Sequence, residues 1–172
     1  MRLEMTRTFP VSRQRGWDYA EDFHTWPEWM DVELIDPDEC AREKPGDTVR
    51  VAGRLLGLPI HGSLILEELA VPEMSRTLYR WPGWPDMHVE QHYSHAGPGA
   101  FTMDLIVYVD ESEGWLGKTI AWLMANFPLM MRQQVQSDFD RLDDAFRQGL
   151  ANRKKPPRKP AAKAGPTTKK AA

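Results

Sequence analysis

The side chains with the most chemical reach in this sequence lie between Glu68 and Asp104. If the segments between them pair as antiparallel strands, Glu68, Thr77 and Gln91 share one face, with Tyr93 a step along. Buried polar groups on such a face need partners, and the polar end of a ligand would supply them. A desolvated Glu68 could act as general base in an aldol-type cyclisation or dehydration, with Tyr79, Tyr93 or His95 as further proton-transfer groups. Solvation near a strand end is the simpler account of Glu68, and it leaves the catalytic set empty. His88, Glu90 and His92 alternate along one strand opposite Asp104, and imidazoles with carboxylates suit an open metal site. The same alternation puts that row on the face away from Gln91 and Tyr93. A solvated polar face explains it there, so neither metal nor cofactor is assigned. Nucleophilic catalysis has less behind it: Cys40 stands in no motif, and neither Ser63 nor Ser94 sits in a nucleophile elbow.

The elements that position these residues can be registered from their turns. Gly57-Leu58 as a two-residue turn pairs Leu55 with Ile60, Gly53 with Gly62 and Val49 with Leu66 on an apolar face, leaving Arg50, Arg54, His61 and Ser63 outside. Pro72-Glu73 as the next turn sets Leu64 beside Trp81, Leu66 beside Tyr79 and Glu68 beside Thr77. The loop Pro82–Asp86 then brings Val89, Gln91 and Tyr93 to the same face, and Gly97-Pro98-Gly99 adds Phe101, Met103, Leu105 and Val107. Before this meander the sequence predicts a strand over Met5–Val11, a helix capped by Ser12, a short helix with Pro27 in its first turn, and a strand over Val32–Ile35. After it, Trp115–Leu150 has helical period, with Val135, Phe139, Leu142 and Phe146 on one stripe and Asp138, Arg141, Asp144 and Arg147 off it. Pro128 predicts a kink or break. The half before it is apolar nearly all round and must be covered by loop, ligand, partner chain or membrane surface.

A curved sheet around a long helix leaves a hollow between them. Tyr79, Trp81, Gln91, Tyr93, Met103 and Leu105 from the sheet, and Ile120, Met124, Phe127 and Met131 from the helix, are its candidate lining. Aromatic area with adaptable Met sulfur suits a deformable apolar guest, although the same residues could simply pack as a core. Glu68 joins the set at its polar end. Trp84, in Trp81-Pro82-Gly83-Trp84-Pro85, either lids the mouth or packs on the first helix.

At 172 residues the chain is long enough for one domain with a sizeable core. A single cysteine excludes an internal disulfide, and the N-terminus has no apolar run like a secretory signal, so a cytoplasmic location is expected. The net charge of −3 hides an asymmetry: eight of the 22 basic residues follow Ala151 and none of the 25 acidic ones does, so the rest carries 14 bases against those 25 acids. An acidic globule is a poor match for specific nucleic-acid binding. Residues 152–172, rich in Lys, Pro and Ala, read as a disordered tail that aids solubility, with weak membrane or polyanion contact as the alternative, and residues 1–151 read as the folded domain.

Three stretches resemble the START-like superfamily, which includes polyketide cyclase/dehydrase and lipid-transport proteins (SRPBCC type). They are Gly16-Trp17-Asp18-Tyr19 leading to Trp26-Pro27-Glu28-Trp29-Met30; Pro45-Gly46-Asp47-Thr48-Val49-Arg50 running to Leu66-Glu67-Glu68-Leu69-Ala70-Val71-Pro72; and Gly114-Trp115-Leu116-Gly117. The resemblance covers roughly residues 4–150. It implies an α+β helix-grip fold, a curved antiparallel sheet around a long C-terminal helix with two short helices after the first strand. It also implies a hydrophobic or aromatic small molecule held between sheet and helix. The alternatives are a cyclase/dehydrase or aromatase-type enzyme using the same cavity, and a module that docks a membrane or partner through the apolar 115–131 segment.

Overall fold

A computed structural model describes residues 2–55, 58–109 and 128–149. Among these, seven strands form one antiparallel sheet: β1 (Arg2–Phe9), β2 (Val32–Ile35), β3 (Thr48–Leu55), β4 (Leu58–Ala70), β5 (Met74–Arg80), β6 (Met87–Gly97) and β7 (Ala100–Val109). From β2 to β7 each strand pairs with its successor, and β1 closes on β7, giving the order β1-β7-β6-β5-β4-β3-β2. Helices α1 (Arg13–Ala20) and α2 (Trp26–Trp29) follow β1, joined by a 3-10 turn at Phe23–Thr25. Helix α3 (Pro128–Arg147) lies across the inner face of the sheet. Gly149, just past Arg147, ends it with φ 74°. The part of the expected helix before Pro128, with candidates Ile120, Met124 and Phe127, lies outside the described residues, as does the expected basic tail. Among the described residues no helix is long and apolar enough to cross a membrane.

The expected faces hold wherever alternation decides them. β7 alternates without a break, burying Phe101, Met103, Leu105, Val107 and Val109. Phe139, Leu142 and Phe146 of α3 are buried on the predicted stripe, with Val135 packed beside them. Two registers differ from expectation. In the β3–β4 hairpin Leu55 pairs with Leu58, so Gly53 faces Ile60 and Gly62 faces Val51, and the expected Gly53–Gly62 pair does not form. A slip of two residues leaves every side chain on its face, so pattern alone could not detect it. In the β4–β5 hairpin the pairs are Leu64↔Tyr79 and Leu66↔Thr77, after which a bulge sets Glu68 opposite Arg76. That extra residue turns Glu68 to the outer face, where it is exposed.

One end of the interior is solid. Phe9 stacks on Phe101 at 5.2 Å and meets Phe139 and Phe146 edge-on at 5.8 and 5.6 Å. Tyr93 continues the stack on Phe101 at 5.8 Å and receives Trp17 of α1 edge-on at 4.9 Å. Rings in offset and edge-to-face geometry bury Phe9, Phe101 and Phe139 almost completely here. Toward the other end the sheet presents Met87, Val89, Leu105 and Val107, and no aromatic stack fills the space beneath α3.

Candidate functional site: a cavity between sheet and helix

The open end holds a cavity of about 140 Å³. Its floor is Met87, Val89, Leu105 and Val107, one wall is Trp29, Tyr79 and Trp81, and its roof is Met131, Val135 and Phe139 of α3. Asp31, Arg54 and Gln134, all exposed, form its rim with Asp138. A cavity of this order takes up a single benzene-sized ring when its lining is apolar.

Backbone geometry fixes the wall. Gly62 of β4 lies under the indole of Trp81: a Cβ there would overlap Cε3 and sit 2.7 Å from Cδ2 and 2.6 Å from the Arg80 carbonyl oxygen. Only glycine permits that approach. Trp81 is therefore part of the wall. Trp84 is half-buried against the core cluster and is not among the cavity's lining residues.

Of the sequence candidates, Tyr79, Trp81, Gln91, Leu105 and Met131 line the cavity. Tyr93 and Met103 do not: both belong to the solid end, where Met103 is fully buried and the Tyr93 ring is stacked. Glu68 is outside on the bulged strand. Thr77 is inside but pairs with Val89, and Gln91 pairs with Ser75, so the expected polar row of Glu68, Thr77 and Gln91 is not assembled. His95 is exposed. The row of His88, Glu90 and His92 is on the outer face, where Glu67 joins His88 at 2.8 Å and Arg76 lies between Glu67 and Glu90.

The polar group that the interior does hold was not anticipated. Glu21, just past α1, and Arg42, in the loop before β3, form a buried ion pair with side chains 8% and 3% exposed. Arg42 donates through Nη2 and Nε at 2.7 and 3.2 Å to Glu21 Oε2, and its guanidinium lies 5.1 Å from the Trp26 ring. Glu21 Oε1 accepts from Tyr93 Oη and Ser75 Oγ, both at 2.7 Å, and Ser75 Oγ lies 3.3 Å from Gln91 Oε1. Desolvation makes such a pair costly unless its lone pairs and protons are used, and here the carboxylate accepts four hydrogen bonds. The network binds α1, the loop before β3, β5 and β6 to one another, and through Ser75 it reaches Gln91 on the cavity side. No local pattern announces it, because Glu21 and Arg42 sit in charged stretches that read as surface.

Two cavity groups have displaced titrations. The Tyr79 phenol is pushed up to about 12, first by burial, with Arg42 pulling down and Glu21 and Asp138 adding. Its hydroxyl has no hydrogen-bond partner among the described residues. The Asp138 carboxyl is pushed up to about 7, chiefly by burial, with the Asp31 charge adding and the Gln134 amide at 3.0 Å and Arg141 pulling back. Asp138 was expected to point off the apolar stripe; it does so toward the cavity rim rather than bulk water. Burial and the Glu21 carboxylate raise Tyr93 well above the ordinary tyrosine value, so it remains a neutral donor.

Neither a family model nor a curated protein matches this chain in sequence. Solved structures match most of it in fold. A START superfamily protein from Mycobacterium smegmatis superposes with a TM-score of 0.64 at 13% identity, covering 86% of this chain and 97% of that one. The protein TTHA0849 from Thermus thermophilus gives 0.65 at 17% identity over 87% and 99%. The di-domain ARO/CYC StfQ from the steffimycin biosynthetic pathway gives 0.61 at 12% identity over 86% of this chain and 46% of that longer one. Identities this low speak for architecture and not for activity. With its curled seven-stranded sheet, its C-terminal helix and its short helices after β1, this chain has the START-like helix-grip fold.

Proposed function

We propose that this protein binds or carries a hydrophobic or aromatic small molecule in the cavity between sheet and α3. The observation that carries the reading is the contrast between the two ends of one interior. Where Phe9, Phe101, Phe139 and Phe146 meet, the rings stack face and edge and are buried; beside Trp29, Tyr79 and Trp81 a lining that is mostly apolar surrounds about 140 Å³. An unfilled apolar volume forfeits dispersion contacts and lowers stability, so its retention argues for an occupant. Titration with toluene, followed by NMR of the Val89, Leu105 and Val107 methyls, tests the reading. Saturable shifts confined to these methyls, abolished by the filling substitution Val107→Phe, are expected. Toluene binding that survives Val107→Phe, or no saturable binding, refutes it.

The alternative enzymatic reading now rests on different groups. Glu68 and His95 lie outside and Tyr93 is held by Glu21, which leaves, apart from the exposed rim residues Asp31 and Arg54, Asp138 with its pKa of about 7 and Tyr79 as the titratable groups that line the cavity. Proton transfer by this pair predicts a pH profile that follows Asp138 and is lost in Asp138→Asn. Docking through 115–131 rests mainly on residues 115–127, which lie outside those described.

A further inference from the structure

Ser75 carries one hydroxyl proton and has two oxygens within reach of it. Its Oγ lies 2.7 Å from Glu21 Oε1 and 3.3 Å from Gln91 Oε1, and the residue is fully buried. The carboxylate takes the proton. That bond is the shorter and is charge-assisted, an ionised carboxylate has no proton of its own to offer, and two oxygens at 2.7 Å with none between them would repel. Toward Gln91, Ser75 therefore presents lone pairs. A carboxamide facing lone pairs offers its N–H, and its two ends have nearly the same shape, so the amide settles with Nε2 toward Ser75 and Oε1 turned away. Gln91 is half-buried on the inner face of β6 between the buried Val89 and Tyr93, and it lines the cavity. The end of its amide away from Ser75 has no hydrogen-bond partner among the described residues and, unlike Trp29 Nε1 and Trp81 Nε1, is not closed to solvent. The chain of hydrogen bonds thus runs from the Arg42–Glu21 pair through Ser75 to Gln91 and ends on an acceptor open to the cavity.

Resting on the binding role proposed above, we propose that the guest is an uncharged ring compound bearing a hydroxyl group, a phenol or a cyclic alcohol, whose O–H donates to Gln91 Oε1, with Ser75 as the residue that orients the amide. A methyl group in place of the hydroxyl fills the same space and leaves the amide oxygen unmet, and a carbonyl brings an acceptor to an acceptor. In the unliganded cavity a water can serve Gln91, and a guest hydroxyl displaces that water without losing its hydrogen bond. Tyr79 lines the same cavity, and its phenol, pushed up to about 12, stays protonated at neutral pH. A neutral hydroxyl serves donors and acceptors alike, so Tyr79 accommodates the guest oxygen without selecting its class. The rim carboxylates Asp31 and Asp138 are the rival acceptors for a guest donor.

Phenol, toluene and benzaldehyde differ in one substituent, which is a donor, an apolar group and an acceptor in turn. Their affinities for the full chain are measured by calorimetry in wild type, Gln91→Met, Ser75→Ala and Asp138→Asn. Each is read as a ratio to toluene in the same protein, and comparing that ratio between proteins cancels both probe transfer from water and general damage by the substitution. Gln91→Met should lower the phenol-to-toluene ratio about fivefold, for one neutral hydrogen bond lost, and leave the benzaldehyde-to-toluene ratio unchanged. Ser75→Ala should narrow the gap between phenol and benzaldehyde, because a freed amide can turn its N–H to the guest; a merely structural role would weaken all three probes alike. In the wild-type protein phenol should move the Gln91 Cδ resonance downfield where toluene and benzaldehyde do not, a readout that needs no variant. A phenol-to-toluene ratio unchanged by Gln91→Met, or a Cδ resonance that bound phenol leaves unmoved, overturns the hydroxyl class at Gln91 and leaves the binding role standing. Loss of the ratio in Asp138→Asn instead overturns it in favour of the rim. Binding of none of the three overturns both readings.

Discussion

Replacing Asp138 by Asn should stabilise the protein at neutral and alkaline pH and do nothing in acid. The carboxyl is pushed up to about 7 in the fold, against an ordinary aspartate value of about 3.9 in an unfolded chain. The folded state therefore holds this proton more tightly than the unfolded state does. Its contribution is fully present below the unfolded value and is lost as pH rises through about 7. Roughly three pKa units at 1.36 kcal/mol each set a ceiling of about 4 kcal/mol. Asp138 retains some solvent contact at the rim, which brings the expected gain of Asp138→Asn nearer to about 2 kcal/mol at pH 8. Asparagine keeps an acceptor for the Gln134 amide, so that hydrogen bond is not the variable. Urea midpoints of wild type and variant should coincide below about pH 3.9, diverge from there to about pH 7 and run parallel above that, with unchanged slope. For a domain of this size, about 2 kcal/mol corresponds to a melting shift of roughly 4–8 °C. Asp47 and Asp140, whose partners lower their pKa values, add the opposite pH dependence to both proteins and cancel in the difference. A constant offset at every pH, or a wild type that gains on the variant as pH rises, would refute the placement of Asp138 in a desolvated wall.

Gly62→Ala should displace Trp81, costing about 1–3 kcal/mol and weakening apolar probe binding; an alanine variant with unchanged stability and Trp fluorescence would show that the ring does not rest on this backbone. Glu21→Gln and Arg42→Met should each cost about 3–5 kcal/mol, because each strands a buried charge. The double variant should cost far less than the sum, and additive losses in denaturant unfolding would refute the coupling. Glu68→Gln, on the outer face opposite Arg76, should change stability by less than about 0.5 kcal/mol and leave probe affinity unaltered. A loss of binding there would return Glu68 to the cavity.

Period and punctuation in the sequence determined the elements and their faces. Strict alternation in Ala100–Val109 and the helical stripe of Phe139, Leu142 and Phe146 each constrain many positions with one rule, so burial followed wherever they applied. Turn residues located the hairpins but not their registers. A two-residue slip between β3 and β4 preserved every face, whereas a one-residue bulge beyond Leu66 reversed Glu68, because side chains alternate with period two. Five of the proposed lining residues reached the cavity wall. Tyr93 and Met103 share their face and chemistry yet fell in the solid end, since position along a strand relative to α1 and the Phe9 stack is a matter of packing between distant elements. The same holds for Glu21, Arg42, Ser75 and Tyr93, which lie in separate segments and carry no local signature of pairing. Only tertiary structure decided where the interior is filled, where it is hollow, and which charges left water to meet there.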